Sequence, residues 1–340
     1  MISQIIGTRA GNAPVPISIL DFVMAGQGVT ARDAVAASVE LARLVDRRGF
    51  TRYWVAEHHS MPGVTTSSPP MLLARLAGET RRIRLGSGGL MLPNFPPLVV
   101  AEQFGLLAAM APGRVDLGIG RAPGTDMSTA AALRRGQIGA EDFPNQLMEL
   151  LAFLDADFPA GSPYGGRVNA VPGPWQDSEN DLPRSTPRPP VWLLGSSGYS
   201  AQLAAHLGFP FAFAAHLADQ NLDLALDLYR SGFRPSAVLD RPYVIVSSGV
   251  MAADDEREAQ RQSWINGAQN FPFTDIFGDV RYLSGQTLFV KLNTNLINAG
   301  GSQIDSAPLP VGVPEFAATG LTAEVTAGEI TTLSVATSDT

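Results

Sequence analysis

The apolar residues of this chain follow two alternating patterns from residue 17 onward. Short β-rich apolar runs, such as Ile17–Val23 and Tyr53–Ala56, alternate with longer segments of helical period. One of these segments is Thr30–Arg48, where Thr30 stands at the position of an N-cap residue. Such alternation is typical of parallel strands joined by crossover helices. The pattern therefore predicts an α/β protein with a parallel sheet.

Seven strands are predicted before the pattern changes. They are Ile17–Val23, Tyr53–Ala56, Ile83–Leu92, Arg114–Gly120, Val191–Leu194, Pro210–Ala214 and Tyr243–Val250. Between the fourth and fifth strands, Phe158–Pro190 is dense in Pro, Gly, Asn, Asp and Ser, so it cannot continue a helix or a central strand. We interpret it as a long excursion within a TIM (β/α)8-type barrel, a fold that commonly uses about 250 residues as a single domain.

The C-terminal part of the chain has a different character. Ser263–Thr340 is rich in Gly, Thr, Ser and Asn and lacks the helical alternation. We therefore predict a barrel domain at residues 1–262 and a divergent, weakly ordered segment at residues 263–340. A barrel of seven strands would expose the edges of its first and last strands. We expect either a surrogate strand near Thr287–Leu292 or an incomplete, atypical closure, and Ala323–Val335 is another candidate strand.

Composition and charge restrict the classes of partner. The 340 residues carry a formal net charge of −8 and have a pI near 5.0, which argues against nucleic acid and anionic membrane surfaces. The absence of cysteine excludes disulfides, thiol nucleophiles and thiolate metal sites. No apolar run reaches the roughly 18 residues of a membrane span, and residues 1–16 lack a secretory signal pattern. We expect a cytoplasmic protein.

Candidate chemistry follows four of the predicted strands, at the carboxyl ends where parallel barrels carry their reactive groups. The four places are Glu57-His58-His59, Gly86-Ser87-Gly88-Gly89, Gly118–Asp126 with Arg121 within it, and Leu194-Gly195-Ser196-Ser197-Gly198. Imidazoles suit proton transfer or anion stabilisation, and bare glycine backbone admits a flat ligand. A guanidinium suits an anionic group, and amides and hydroxyls at a helix start suit a phosphate.

Each place also has a purely structural interpretation. A histidine can simply bond a backbone carbonyl, and the glycines can form a bulge. Arg121 can pair with Asp126 or Glu57, and one serine before a helix can act as an N-cap. Adjacent strand residues point to opposite faces, so His58 and His59 are not expected to share an ion, and we expect no metal site.

Five ordered blocks of this sequence resemble the bacterial luciferase-like flavin monooxygenases, in particular the alkanal monooxygenase-like subgroup. The blocks are YWVAEHH (53–59), GGLMLPN (88–94), VAEQFG (100–105), GRVDLGIGRAPGTD (113–126) and WLLGSS (192–197). The resemblance implies a barrel that binds reduced FMN supplied by a separate flavin reductase. With O2 the flavin would form a C4a-hydroperoxide that oxidises a small organic substrate, with aldehydes as the model class. A homodimer is also implied.

The resemblance assigns site residues by position. The catalytic residue is His58, which matches a histidine thought to protect or protonate the flavin peroxide. The predicted cofactor-binding residues are Gly88, Gly89, Arg121, Arg134, Gly195, Ser196 and Ser197, of which Gly195 and Ser197 are predicted from their place at the strand end. Among these, Gly88-Gly89 matches a non-prolyl cis peptide beside the isoalloxazine, while Arg121, Arg134 and Ser196 match flavin-pocket and phosphate contacts. Gly120 stands where true luciferases have a reactive cysteine, which argues against light emission.

Two other functions stay open on the sequence alone. One is hydride transfer with a deazaflavin coenzyme, and the other is non-catalytic flavin binding by a pocket left open to solvent. The second is considered because Ser263–Thr340 does not resemble the units that normally complete this family's barrel. Substrate identity lies in loops such as Phe158–Pro190, which carry no readable code.

Overall fold

The computed structural model describes residues 16–25, 28–133, 142–183 and 188–249, and the backbone of four strands beyond them. The strands are β1 (Ser18–Asp21), β2 (Arg52–Val55), β3 (Arg84–Ser87), β4 (Leu90–Met91), β5 (Val115–Gly120), β6 (Val191–Gly195), β7 (Phe211–Ala214), β8 (Val244–Ser247), β9 (Tyr282–Leu283), β10 (Gln286–Thr287), β11 (Ala318–Thr326) and β12 (Glu329–Thr337). The helices are α1 (Ala31–Arg48), α2 (Pro69–Glu79), α3 (Pro97–Met110), α4 (Met127–Leu133), α5 (Phe143–Asp155), α6 (Pro174–Glu179), α7 (Gly198–Leu207), α8 (Ala215–Ala218) and α9 (Leu222–Gly232).

Strands β1 to β8 form one sheet in which every pairing is parallel. The order is β1-β2-β3-β5-β6-β7-β8, and β4 pairs with β5. The sheet is nearly closed into a barrel with helices in the connections, so the predicted TIM-type fold is confirmed. Because all strands run in one direction, their carboxyl ends meet at one mouth.

Local sequence signals explain where the helices begin and end. Thr30 caps α1, since its hydroxyl accepts the N–H of Asp33 at 3.2 Å and the Asp33 carboxylate accepts the N–H of Thr30 at 3.3 Å. Gly49 ends the helix with a φ of 79°, a left-handed conformation that glycine adopts without strain. The predicted capping role of Thr30 is therefore confirmed.

One predicted segment is corrected, and another gains detail. Ile83–Leu92 is not one strand, because it is divided into β3 and β4 by Gly88-Gly89, which are joined by a cis peptide bond. Within the excursion Phe158–Pro190, Pro174–Glu179 forms a short helix that begins with a proline.

A buried ion cluster lies near the amino ends of the strands, opposite the mouth. The Asp116 carboxylate accepts from Arg52 at 3.2 Å, from Arg84 at 2.7 Å and from the Trp54 indole at 3.2 Å. The Arg52 guanidinium also stacks on Trp192, 4.9 Å from the ring centroid. These charged side chains are buried and belong to the core.

The described strands of the C-terminal region form two antiparallel pairs. β9 pairs with β10 and β11 pairs with β12, and none of these strands joins the barrel sheet within the described residues. Thus Ala323–Val335 falls on two strands of a hairpin, and of Thr287–Leu292 only Thr287 is described. The boundary at residues 262 and 263 lies outside the described residues. No described helix is both long and apolar enough for a membrane crossing.

Candidate functional site

The four predicted places lie at one mouth of the barrel. Glu57-His58-His59 follows β2, Gly88-Gly89 follows β3, Arg121 follows β5, and Gly195-Ser196-Ser197 ends β6 and precedes α7. Arg134 lies outside the described residues. The parallel sheet thus brings together all the described residues assigned from the sequence.

Glu57 is an organising residue of this mouth. Its carboxylate is fully buried and accepts hydrogen bonds from the backbone N–H of Met91 at 2.9 Å and from the side-chain amide of Asn94 at 2.9 Å. His59 Nε2 also lies 2.9 Å from this carboxylate. These bonds fix the turn after β4 against the end of β2. Glu57 is therefore engaged in holding the backbone and is not the partner of Arg121.

His58 lies in an apolar environment. Its ring stacks on Phe22 with centroids 5.0 Å apart and planes inclined by 23°. Burial lowers the pKa of His58 to about 4, and the neighbouring His59 adds a smaller effect in the same direction. At neutral pH the imidazole is uncharged, so it can accept a proton or share a hydrogen bond but is not a stored acid.

His59 has a different environment from His58. Its Nε2 contacts Glu57, its N–H donates to the Gly124 carbonyl at 3.2 Å, and its carbonyl accepts from the Thr125 hydroxyl at 2.8 Å. These bonds join the segment after β2 to the segment after β5. The structural interpretation fits His59 better than His58. Within the described part of the chain, no cluster of three or more His, Cys, Asp or Glu residues could hold a metal ion.

Gly88 and Gly89 form a bare stretch of backbone at the mouth. The non-prolyl cis peptide that the resemblance implies is present at this pair. A Cβ on Gly88 would lie 2.6 Å from a Leu20 methyl and 3.0 Å from Trp54 Cβ, and one on Gly89 would lie 3.1 Å from a Leu194 methyl. Side chains have no room at these two positions, because Leu20, Trp54 and Leu194 already occupy the space.

Arg121 is held at the start of α7. Its guanidinium carbon lies 4.2 Å from the ring centroid of Tyr199, in the first turn of that helix. Within the described residues it pairs with neither carboxylate considered from the sequence. Glu57 is occupied as described above, and Asp126 accepts the N–H groups of Ser128 at 2.8 Å and Thr129 at 3.0 Å at the start of α4.

The segment Gly195-Ser196-Ser197 leads directly into α7. Ser197 occupies the N-cap position, but its side chain makes no capping hydrogen bond, so the simple capping interpretation fails. A Cβ on Gly195 would lie 2.6 Å from the Ser200 hydroxyl, which explains the glycine. Amide groups at the helix start and the Arg121 guanidinium together suit a phosphate or another anion.

Sequence reasoning missed three further residues of the mouth. Phe22 follows β1 and is only 2% exposed, and its ring meets His58 on one side and His216 in an edge contact, with centroids 5.8 Å apart. His216 Nδ1 lies 2.6 Å from the hydroxyl of Ser247, the last residue of β8. In the sequence, Phe22 lies within an apolar run, which indicates only an ordinary core residue. His216, however, follows a strand and could have been found by the rule that found His58.

Known proteins match most of this chain. The family model described as luciferase-like monooxygenase matches residues 16–295, which extends past the boundary predicted at residue 262. A protein of Escherichia coli strain K12, described as a luciferase-like monooxygenase, is 48% identical over 247 residues, 72% of this chain and 69% of that protein. The crystal structure of apo-MsnO8 is 38% identical, with a TM-score of 0.64, and the match covers 73% of this chain and 70% of that chain. The N-acetyl-S-alkylcysteine monooxygenase of Bacillus subtilis strain 168 is 42% identical over 201 residues, 59% of this chain and 57% of that protein.

More distant matches differ in cofactor. The oxygenating constituent of 3,6-diketocamphane monooxygenase, solved with FMN, is 20% identical with a TM-score of 0.55 over 72% of this chain and 70% of that chain. A coenzyme F420-dependent tetrahydromethanopterin reductase is 15% identical with a TM-score of 0.54 over 76% of this chain and 71% of that chain. The oxygenase component of the trigonelline monooxygenase of Acinetobacter baylyi is 25% identical over 65% of this chain and 60% of that protein. The two structures share the fold alone with this chain.

Proposed function

The chain belongs to the luciferase-like monooxygenase family and is an oxidoreductase, and on that premise we propose that it is the oxygenase component of a two-component flavin system. Reduced FMN, supplied by a separate reductase, would react with O2 to a C4a-hydroperoxide that oxidises a small organic substrate, with aldehydes as the first class to test. The remaining steps concern what the residues of this chain do. A homodimer and a cytoplasmic location stay predictions from the sequence.

The observation that carries the proposal is the arrangement of Arg121 at the start of α7. The guanidinium stacks on Tyr199 and is paired with neither Glu57 nor Asp126 within the described residues. The adjoining N-cap Ser197 leaves the first turn without a side-chain cap. We assign the FMN phosphate to this place, where it would receive charge-assisted bonds from Arg121 and bonds from amides and from the hydroxyls of Ser196 and Ser197.

The backbone at Gly88-Gly89 is assigned to the ring system of the flavin. Glycine at both positions leaves a stretch of backbone without side chains at the mouth, while the Cβ directions themselves are filled by Leu20, Trp54 and Leu194. A planar ring system that lies against backbone needs such a bare stretch. This assignment places the two ends of the cofactor on the carboxyl ends of β3 and β6, within one mouth.

His58 is assigned to the reacting end of the same mouth. Its pKa of about 4 keeps the imidazole neutral at pH 7, so it would act by shielding and hydrogen bonding and not as an acid. The apolar contact with Phe22 excludes water from one face of the imidazole. We propose that this environment limits the loss of oxidising equivalents as hydrogen peroxide.

The test is aerobic turnover of the full chain with FMN, NADH, a flavin reductase and a panel of aldehydes, with product and hydrogen peroxide both measured. A control omits the protein. Product above that control supports the proposal, whereas hydrogen peroxide alone indicates a non-catalytic flavin-binding protein. Turnover with reduced deazaflavin but not with FMN indicates hydride transfer instead.

Binding of FMN is measured separately by fluorescence quenching. Replacing Arg121 with Ala should remove a charged contact of about 1.5–3 kcal/mol and weaken binding roughly 10- to 150-fold. The matched control is Arg47→Ala, an exposed arginine in the last turn of α1, which lies towards the amino ends of the strands. Unchanged affinity in both Arg121→Ala and Ser196→Ala would remove the phosphate assignment.

A further inference from the structure

A row of four side chains crosses the seam of the barrel at its mouth. Within the described residues β1 and β8 are the two ends of the sheet order, so the seam lies between them. Ser247 at the end of β8 contacts His216, His216 contacts Phe22 after β1, and Phe22 stacks on His58 after β2. We call these four residues the seam row.

The first member of the seam row fixes the second. The Ser247 hydroxyl lies 3.2 Å from the Phe213 carbonyl oxygen and 2.6 Å from His216 Nδ1. The hydroxyl can donate to Nδ1 or accept from it, depending on the tautomer of the imidazole. In either case the short contact fixes the orientation of the His216 ring against the end of β8.

The backbone around Phe22 is also fixed. The Asp21 carboxylate accepts the N–H of Val23 at 2.7 Å, and the Val23 carbonyl accepts the N–H of Thr65 at 3.0 Å. Val23 has a φ of 50°, a left-handed conformation that is rare for a β-branched residue and needs such support. The backbone thus fixes the position of Phe22, and its ring contacts the imidazoles of both His58 and His216.

We propose that His216 is a positioning residue for His58: fixed by Ser247, it holds the Phe22 ring in the orientation that supports the His58 imidazole. The inference rests on the proposed function only in treating His58 as an active-site residue. No contact between His216 and a ligand is required. The same geometry gives Ser247 a defined part, because without its hydroxyl the His216 ring loses the bond that orients it.

The environment of His58 provides a direct measure of this positioning. Among the described residues, the titratable groups nearby are Glu57 and His59 on its own segment, Asp21 at the end of β1, and His216 across Phe22. Glu57 and Asp21 are each engaged by several hydrogen bonds, the latter with Ser38, Tyr53 and Val23. If Phe22 becomes free to tilt, water reaches His58 and its pKa should rise from about 4 towards the ordinary 6.5.

The experiment is an NMR titration of the imidazole C–H signals in the flavin-free full chain, which contains only four histidines. His216→Ala and Ser247→Ala should each raise the midpoint of His58, with the larger rise in His216→Ala, and Phe22→Leu should raise it as well. The matched control is His206→Ala, which removes an exposed imidazole from α7 and should leave the His58 midpoint unchanged. The His206 signal reports on folding in the other variants.

An unchanged His58 midpoint in His216→Ala overturns the proposal, even if Phe22→Leu raises it. If His216→Ala does not fold, Ser247→Ala decides the question by the same criterion, because it removes only the anchoring hydroxyl. In the turnover assay His216→Ala should release more hydrogen peroxide with unchanged FMN affinity. A shifted midpoint in a chain that proves unable to oxidise substrates would refute the proposed function and leave the positioning role intact.

Discussion

Acidification should destabilise this protein through His58, and the structure gives the size of the effect. The pKa of His58 is about 4 in the folded chain because of burial, with a smaller contribution from His59, against 6.5 for an ordinary histidine. Between pH 4 and pH 6.5, His58 is therefore protonated in the unfolded chain but neutral in the folded chain. The resulting stability is fully present above pH 6.5 and is lost as the pH falls from 6.5 through 4.

The magnitude follows from the linkage relation. A shift from 6.5 to about 4 corresponds to a total of about 3 kcal/mol, of which about 2 kcal/mol is lost by pH 5. His58 keeps some exposure to solvent, so these figures are upper limits. Asp21 acts in the opposite direction. Burial raises the pKa of its carboxyl, and the hydrogen bonds from Ser38, Tyr53 and Val23 offset only part of this rise. Protonation at acidic pH therefore favours the folded state through Asp21.

The contribution of His58 is isolated by comparing two chains at two pH values. Urea unfolding of the wild type and of His58→Gln, followed by tryptophan fluorescence, gives the free energy of unfolding at pH 7 and pH 5. The wild type should lose up to about 2 kcal/mol more than His58→Gln over this interval. His206→Gln, which removes an exposed histidine, should behave as the wild type. Equal losses in the wild type and His58→Gln would refute the assignment of a buried, neutral imidazole.

Three further predictions concern the mouth and the C-terminal segment. His58→Ala should keep FMN binding but divert turnover to hydrogen peroxide more strongly than His59→Ala, because the His59 ring is bonded to Glu57. Equal product yield and equal peroxide release in the two variants would contradict this prediction. Gly88→Ala should destabilise the fold by about 1–3 kcal/mol through its clash with Leu20, measured by urea unfolding, whereas Gly78→Ala in α2, where a Cβ meets nothing within 4 Å, should be neutral or stabilising. Limited proteolysis should cut first within Ser263–Thr340, as its composition suggests, and a protease-resistant segment with regular helix protection in hydrogen exchange would contradict this.

The strand boundaries show what hydrophobic pattern alone can predict. The pattern began the second strand at Tyr53, whereas β2 begins at Arg52. Arg52 is buried against Asp116, which lies far along the chain. A pattern that treats charge as exposed cannot predict such a residue, because its partner is brought near only by the fold.

The division of the third strand escaped the pattern for another reason. Apolar residues continue on both sides of Gly88-Gly89, so hydrophobicity alone joins β3 and β4. The glycines were visible in the sequence, but their environment was not, because Leu20, Trp54 and Leu194 approach them from other strands. The cis bond was expected from the family resemblance and not from the residues themselves.

The two ends of the barrel use charge in different ways, and this contrast supports placing the chemistry at the mouth. At the amino ends, Arg52 and Arg84 share the buried Asp116, and all three side chains are almost inaccessible to a ligand from solvent. At the mouth, the guanidinium of Arg121 rests on an aromatic ring beside a helix start that Ser197 does not cap. A cation held in place without either of its expected carboxylates gains most from an anion supplied by a ligand. The sequence predicted Arg121 at this mouth because strand ends can be predicted locally. The roles of Phe22 and His216 depend instead on the contact between their rings across the seam, which no local pattern records.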